Sequence, residues 1–130
     1  MPTAVIVDDS PLIRAQLRQI LGRIGVTVVG EGASGSQLQA LYEQHTPDLV
    51  TLDIVMPGKD GVTAAIDLLR AHPAARIVMC TSLTNRDKIV ACQRAGVRHY
   101  LLKPFEAARA EQIFQLVLQT AAAGGSGAAP

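Results

Sequence analysis

The chain has 130 residues, 48% of them apolar, 18% charged and 3% aromatic, with no Trp and a formal net charge of +1. That is long enough for one core and too short for two, and too apolar for wholesale disorder. The near-neutral charge and scarce aromatics argue against a polybasic nucleic-acid binder or a base-stacking platform; two cysteines and three histidines are too few for a disulfide scaffold and do not sit at zinc spacing.

The first apolar run, Ala4–Val7, is cut short by Asp8 and Asp9, too early for a signal peptide. Ser10 and Pro11 then open a helix: a hydroxyl cap, followed by a residue whose missing amide has no helical acceptor anyway. Its stripe is Ile13, Leu17, Ile20, Leu21 and Ile24. A second run, Thr27–Val29, precedes Ser34 and Gln37, a capping-box pair that predicts a helix with Leu38, Leu41 and Tyr42 inward. Leu49–Leu52 is the third run. The helix after it has the stripe Val62, Ala65, Ile66 and Leu69 and ends at His72-Pro73. Arg76–Cys80 leads into a helix over Asn85–Ala95, with Ile89, Cys92 and Ala95 inward, which Gly96 stops. Tyr100–Leu102 is the fifth run, and the last helix carries Ile113, Phe114, Val117 and Leu118. A domain over 1–121 and a flexible Ala/Gly/Ser-rich tail over 122–130 are expected.

Runs this short, rich in Val, Ile and Leu and lacking polar alternation, predict parallel strands covered on both faces. Five such units predict an α/β fold: a five-stranded parallel sheet, doubly wound, with five helices. Periodicity does not contain the strand order. No run approaches the roughly 18 apolar residues of a membrane span, so a cytoplasmic chain that neither inserts into a membrane nor binds nucleic acid directly is expected.

Open α/β sheets bind ligands beyond the carboxyl ends of their strands. There the sequence places Asp8-Asp9, Asp53, Thr81-Ser82 and Lys103-Pro104. A lone Asp after a strand is more often a helix cap than a ligand. Three acids converging on one rim repel one another unless a cation compensates, and capping alone gives no reason to gather them. Hard oxygen donors without Cys or His favour Mg²⁺. Lys103 suits phosphate as a point charge, and Thr81 can donate to a phosphoryl oxygen. Together these predict phosphoryl transfer, with one of the three acids as nucleophile because no Ser-His or Cys-His arrangement is evident.

The segments VDDSPLIR (Val7–Arg14), PDLVTLDIVMPGKDG (Pro47–Gly61), CTS (Cys80–Ser82) and LLKPF (Leu101–Phe105) resemble the receiver domain of two-component response regulators, and the likeness runs from Thr3 to about Ala121. The resemblance implies the flavodoxin-like strand order 2-1-3-4-5. It implies Asp53 as phosphoacceptor, with Mg²⁺ on Asp8, Asp9, Asp53 and the backbone carbonyl of Val55. Thr81 and Lys103 would contact the phosphoryl group, Thr81 and Tyr100 would form the switch, Lys103-Pro104 would be cis, and Pro57–Gly61 would close the site. Val55 and Leu83 are apolar where faster-hydrolysing members often have polar groups, and Val97–Tyr100 lacks the paired acids that winged-helix members use to dimerise.

The function expected is a single-domain phosphorelay switch, not an enzyme acting on other substrates. A histidine kinase or phosphotransfer protein donates, Asp53 accepts with Mg²⁺, and the altered face binds a downstream protein target. The chain would catalyse its own phosphorylation and slow dephosphorylation. A chemotaxis-type regulator leads, ahead of a receiver excised from a larger methylesterase or transcription factor. Two rivals are weaker. An aspartyl-nucleophile Mg²⁺ phosphatase usually carries a second Asp where this chain has Val55, and the acidic rim would repel a flavodoxin's cofactor phosphate. Pro11, Leu12 and Ile13 beside the acids are a candidate kinase-docking surface.

Overall fold

The computed structural model describes residues 1–127, without the side chains of Leu83 and residues 120–127. Five strands, β1 (Thr3–Val7), β2 (Thr27–Gly32), β3 (Leu49–Asp53), β4 (Ile77–Thr81) and β5 (His99–Leu102), alternate with α1 (Pro11–Arg23), α2 (Leu38–His45), α3 (Gly61–Ala71), α4 (Arg86–Ala95) and α5 (Ala107–Gly127). All strand pairs are parallel, in the order β2-β1-β3-β4-β5. This is the flavodoxin-like order the resemblance implied.

The sheet is covered on both faces, which is why its strands lack polar alternation. Ala4, Ile6, Leu49, Val78, Cys80 and Leu101 pack under α1 and α5, against Leu17, Leu21, Phe114 and Val117. Val5, Val7, Val50, Leu52, Ile77 and Met79 pack against Leu38, Ala64, Ala65, Leu68 and Cys92 of α2, α3 and α4. Among the described residues no helix is long and apolar enough to cross a membrane.

Local signals set several boundaries as expected. Ser10 caps α1, its hydroxyl accepting from the Ile13 amide at 3.3 Å, with Pro11 in the first turn. Gly96 ends α4 at φ +109°, in the left-handed region that favours glycine.

Other expectations need correction. The Ser34–Gln37 capping box forms, but it closes a single 3₁₀ turn, Gly35–Gln37, and α2 begins only at Leu38. That turn is tied to the β3–α3 loop by a hydrogen bond from the Gly35 amide to the Lys59 carbonyl at 3.2 Å, so local capping is subordinate to a tertiary contact. β2 runs three residues past Val29, to Gly32. Gly30 and Gly32 lie so close to Leu41, His45 and Gln37 that an added Cβ would sit 3.1–3.3 Å from them. In α3 the buried residues are Gly61, Ala64, Ala65 and Leu68; of the expected stripe Ala65 is buried and Val62 and Leu69 pack half-buried on the core, while Ile66 lines a groove with Leu69 beside Ala91 and Ala95 of α4. α5 is helical past the expected boundary at 121/122, through Gly127, and residues 128–130 of the expected tail lie outside the described residues.

Candidate functional site at the carboxyl ends of the strands

β1, β3, β4 and β5 all end at one rim because they are parallel neighbours, and the rim residues are those that follow the last apolar position of each. Asp8 is buried and has both carboxylate oxygens engaged: Oδ1 accepts from the Ser10 amide at 2.9 Å and Oδ2 from Lys103 Nζ at 3.1 Å. The Asp8 carbonyl accepts from Arg14 Nη1 at 2.6 Å, and Arg14 Nε in turn lies 3.3 Å from Glu31. Asp9 is exposed. Asp53, at the end of β3, is only 7% exposed, with Oδ1 3.3 Å from Lys103 Nζ.

One ligand oxygen from each of Asp8, Asp9 and Asp53 falls within 4.8 Å of the others. Burial, and then the charge of Asp8, push the Asp53 carboxyl up to about 6; Lys103 opposes this, and Asp9 adds to it slightly. For Lys103, burial works against the ammonium, but Asp53 and Asp8 together outweigh it and raise its pKa. Three carboxylates facing one ammonium leave two negative charges uncompensated when all are ionised. Hard oxygen donors, excess negative charge and one solvent-exposed carboxylate make a site that fits a hard divalent cation.

Thr81 ends β4 and is almost wholly buried. Its hydroxyl donates to the Ser82 carbonyl at 3.2 Å and accepts from Asn85 Nδ2 at 3.1 Å. The Lys103 amide donates to the Thr81 carbonyl at 2.7 Å, joining the ends of β4 and β5. The Lys103-Pro104 bond is cis, as the resemblance implied. Tyr100 is half-buried, its hydroxyl donating to the Val97 carbonyl at 2.8 Å; burial, then Cys92, push it up to about 12. The Val55 side chain is 51% exposed, directly after the buried Ile54. The Leu83 side chain lies outside the described residues. Both thiols are buried, and burial pushes Cys80 up to about 12 and Cys92 to about 11, so neither supplies a thiolate near neutral pH.

Sequence reasoning missed three contributors. Arg14 stands only at the end of the segment Val7–Arg14 in the sequence reading, yet its guanidinium donates to the Asp8 carbonyl. Asn85 read as a helix start, yet its side chain turns back to Thr81. Gly61 begins α3, where Asp60 caps the helix by accepting from the Thr63 amide at 2.9 Å. The Gly61 amide donates to the Ile54 carbonyl at 2.7 Å, and a Cβ at 61 would collide with the Asp53 carbonyl. Gly61→Ala must therefore lift α3 off the end of β3. It is expected to cost roughly 3 kcal/mol, the upper part of the range for overpacking against an unyielding neighbour. A urea-unfolding midpoint equal to that of wild type would show that the helix slides freely.

The comparisons with known proteins agree on one family. The family model described as "Response regulator receiver domain" matches residues 4–115. The chain is 38% identical over 105 residues to the chemotaxis protein CheY of Bacillus subtilis (strain 168), covering 81% of this chain and 88% of that one. It is 39% identical over 101 residues to the transcriptional regulatory protein PdtaR of Mycobacterium tuberculosis, covering 78% of this chain but 49% of that protein. Among solved structures, a chain of the CheX-CheY-BeF3-Mg+2 complex from Borrelia burgdorferi is 31% identical with a TM-score of 0.83, covering 88% of this chain and 87% of its own.

Proposed function

The chain belongs to the response regulator receiver domain family and is CheY-like, and on that premise we propose that it accepts a phosphoryl group on Asp53 and passes the change to a protein partner. The single observation that carries this reading is the Asp53 carboxylate at the end of β3, beside Lys103 and gathered with Asp8 and Asp9 into one acidic pocket. Donors of the expected class are a histidine kinase or phosphotransfer protein. The chemotaxis-type role follows the likeness to full-length CheY proteins, since CheY of Bacillus subtilis is covered to 88% whereas PdtaR is covered to 49%. We place the receiver unit at 1–121 and its action in the cytoplasm.

In this reading, ionised Asp53 attacks phosphorus, the bond to the donor's leaving atom breaks, and an acyl phosphate forms on Oδ. Lys103, held on the rim by Asp8 and Asp53, is positioned to neutralise a phosphoryl oxygen. Thr81 supplies a hydroxyl proton to a second oxygen, and Tyr100 follows the movement of Thr81. Asp8, Asp9, Asp53 and the Val55 carbonyl would hold Mg²⁺, which supplies charge neutralisation across carboxylates and phosphoryl oxygens that would otherwise repel. Pro57–Gly61 borders the site, and exposed Leu12, beside the acids at 68% exposure, offers a donor an apolar contact.

Incubation of the full chain with Mg²⁺ and acetyl phosphate, followed by intact mass spectrometry and peptide mapping, tests the reading. One added phosphoryl group, labile to hydroxylamine and mapped to Asp53, is the expected result. An unmodified mass, or a label elsewhere, would refute it.

Lifetime follows from the flank. Water attacks phosphorus opposite Asp53, and an apolar Val55 can neither orient it nor take its proton. Val55→Asn is expected to shorten the half-life of the purified phosphoprotein severalfold in excess Mg²⁺. Equal decay in wild type and variant would show that another group controls hydrolysis.

A further inference from the structure

Asn85 ends a 3₁₀ turn, Leu83–Asn85, and stands at the N-cap position of α4, with φ −101° and ψ 38°. Asparagine is favoured there because its side-chain oxygen accepts from an amide in the first turn. Asn85 makes no such cap bond. Its carboxamide nitrogen instead points back, donating to Thr81 Oγ1 at 3.1 Å and to Ser82 Oγ at 3.3 Å. The chemistry of the partners fixes this orientation. Thr81 spends its single hydroxyl proton on the Ser82 carbonyl, so its oxygen meets Asn85 as an acceptor, and only the NH₂ end of the amide satisfies it. The Ser82 hydroxyl is shared with Thr84 Oγ1 at 2.7 Å, so the clamp belongs to a short polar chain at the start of α4.

We propose that Asn85 is the positioning residue of the Thr81 switch: it holds the Thr81 hydroxyl on the α4 side in the unmodified chain and, when released, caps α4. The inference rests on the phosphoacceptor reading above. Thr81 cannot donate to a phosphoryl oxygen on Asp53 while its proton serves Ser82, and turning it breaks the Asn85 bond as well. The freed carboxamide belongs to the residue from which, once the 3₁₀ turn opens and Asn85 becomes extended, its oxygen can accept from the first-turn amides of α4. The bond lost at Thr81 is then offset by a bond gained at the helix. α4 feels this because Cys92 is its one buried residue among those described, with Ile89 packed half-buried beside it. A single cap is a large part of what positions such a helix. Asn85 thereby links the modification of Asp53 to the placement of α4 without touching the phosphoryl group.

The test uses the full chain with Mg²⁺ and beryllofluoride, a tetrahedral phosphoryl mimic. Asn85→Ser keeps a capping oxygen but is too short to grip Thr81. Loss of one net hydrogen bond from the resting state is expected to lower the half-saturating beryllofluoride concentration roughly 2- to 10-fold. In a Thr81→Val background, which has no hydroxyl to hold, the same substitution is expected to leave half-saturation unchanged. In the wild-type chain, the side-chain amide resonances of Asn85 are expected to shift on saturation, a measurement that needs no variant. Unaltered or weaker binding by Asn85→Ser, an equal gain in both backgrounds, or amide resonances that stay in place would each overturn the role. Failure of wild type to bind beryllofluoride with Mg²⁺ would overturn the phosphoacceptor reading, and this inference with it; that outcome is distinguishable because it appears before any substitution.

Discussion

Asp53→Asn is expected to accept no phosphoryl group from acetyl phosphate and, without metal, to be more stable than wild type at neutral pH by about 3 kcal/mol. The first effect follows from the loss of the nucleophilic oxygen. The second follows from burial and Asp8, which raise the folded carboxyl from 3.8 to about 6, with the opposition of Lys103 already included. A raised carboxyl pKa means that the folded chain binds the proton more tightly than the unfolded chain does. Stability therefore falls as pH climbs between about 4 and 6 and stays low above that window. About two pKa units correspond to about 3 kcal/mol. An amide at 53 carries no charge at any pH, so its advantage is small near pH 4 and complete above pH 6. Guanidinium midpoints of both proteins in chelator, taken across that range, check this. A difference that stays constant with pH would show that Asp53 ionises in the fold at no cost.

Lys103→Met moves stability in the opposite direction. Its ammonium stands between Asp8 and Asp53 with its side chain only 24% exposed, and it is the one cation bonded to both acids among the described residues. Removing one partner of a largely buried ion pair leaves charge uncompensated and costs about 3 kcal/mol or more. Lys103 has a raised pKa, so its contribution is fully present at neutral pH and is lost only as pH rises above its ordinary alkaline range. The loss in Lys103→Met is expected near pH 7, to shrink as Asp53 protonates toward pH 4, and to be recovered in part by Mg²⁺. In the double variant with Asp53→Asn the loss is expected to be much smaller than in Lys103→Met alone, because one of the two stranded charges is gone. Strict additivity of the two substitutions would show that Lys103 does not act through Asp53.

Much of the fold is legible in the sequence because burial on both faces suppresses alternation, so each strand stands out as a short apolar run between helical stripes. The rim is legible for a related reason. A residue such as Asp53 that ends an apolar run must emerge at the end of its strand, and parallel strands bring their carboxyl ends together. Helix starts with a local mechanism, such as Ser10 with Pro11, are written in a few consecutive residues. Periodicity does not carry the strand order, because it reports which side of an element is apolar and not which neighbour that side meets. The same limit shifted the inward face of α3: Ala65 of the expected stripe is buried, but Ala64 and Leu68 join it, while Val62 and Leu69 pack half-buried at its edge and Ile66 turns toward α4. Tertiary structure alone decided the features on which the chemistry turns. Asp8 and Lys103 are 95 residues apart in sequence and 3.1 Å apart in space. The raised pKa of Asp53 exists only because burial and Asp8 reach it from different strands. Gly61 is required because a backbone carbonyl from β3 fills the space of its missing side chain, and the Asn85 side chain bonds Thr81 and makes no cap bond to its own helix. Propensity acts along the chain and is read from neighbours in sequence; burial, Coulomb interaction and steric contact act through space, and only the folded chain sets those distances.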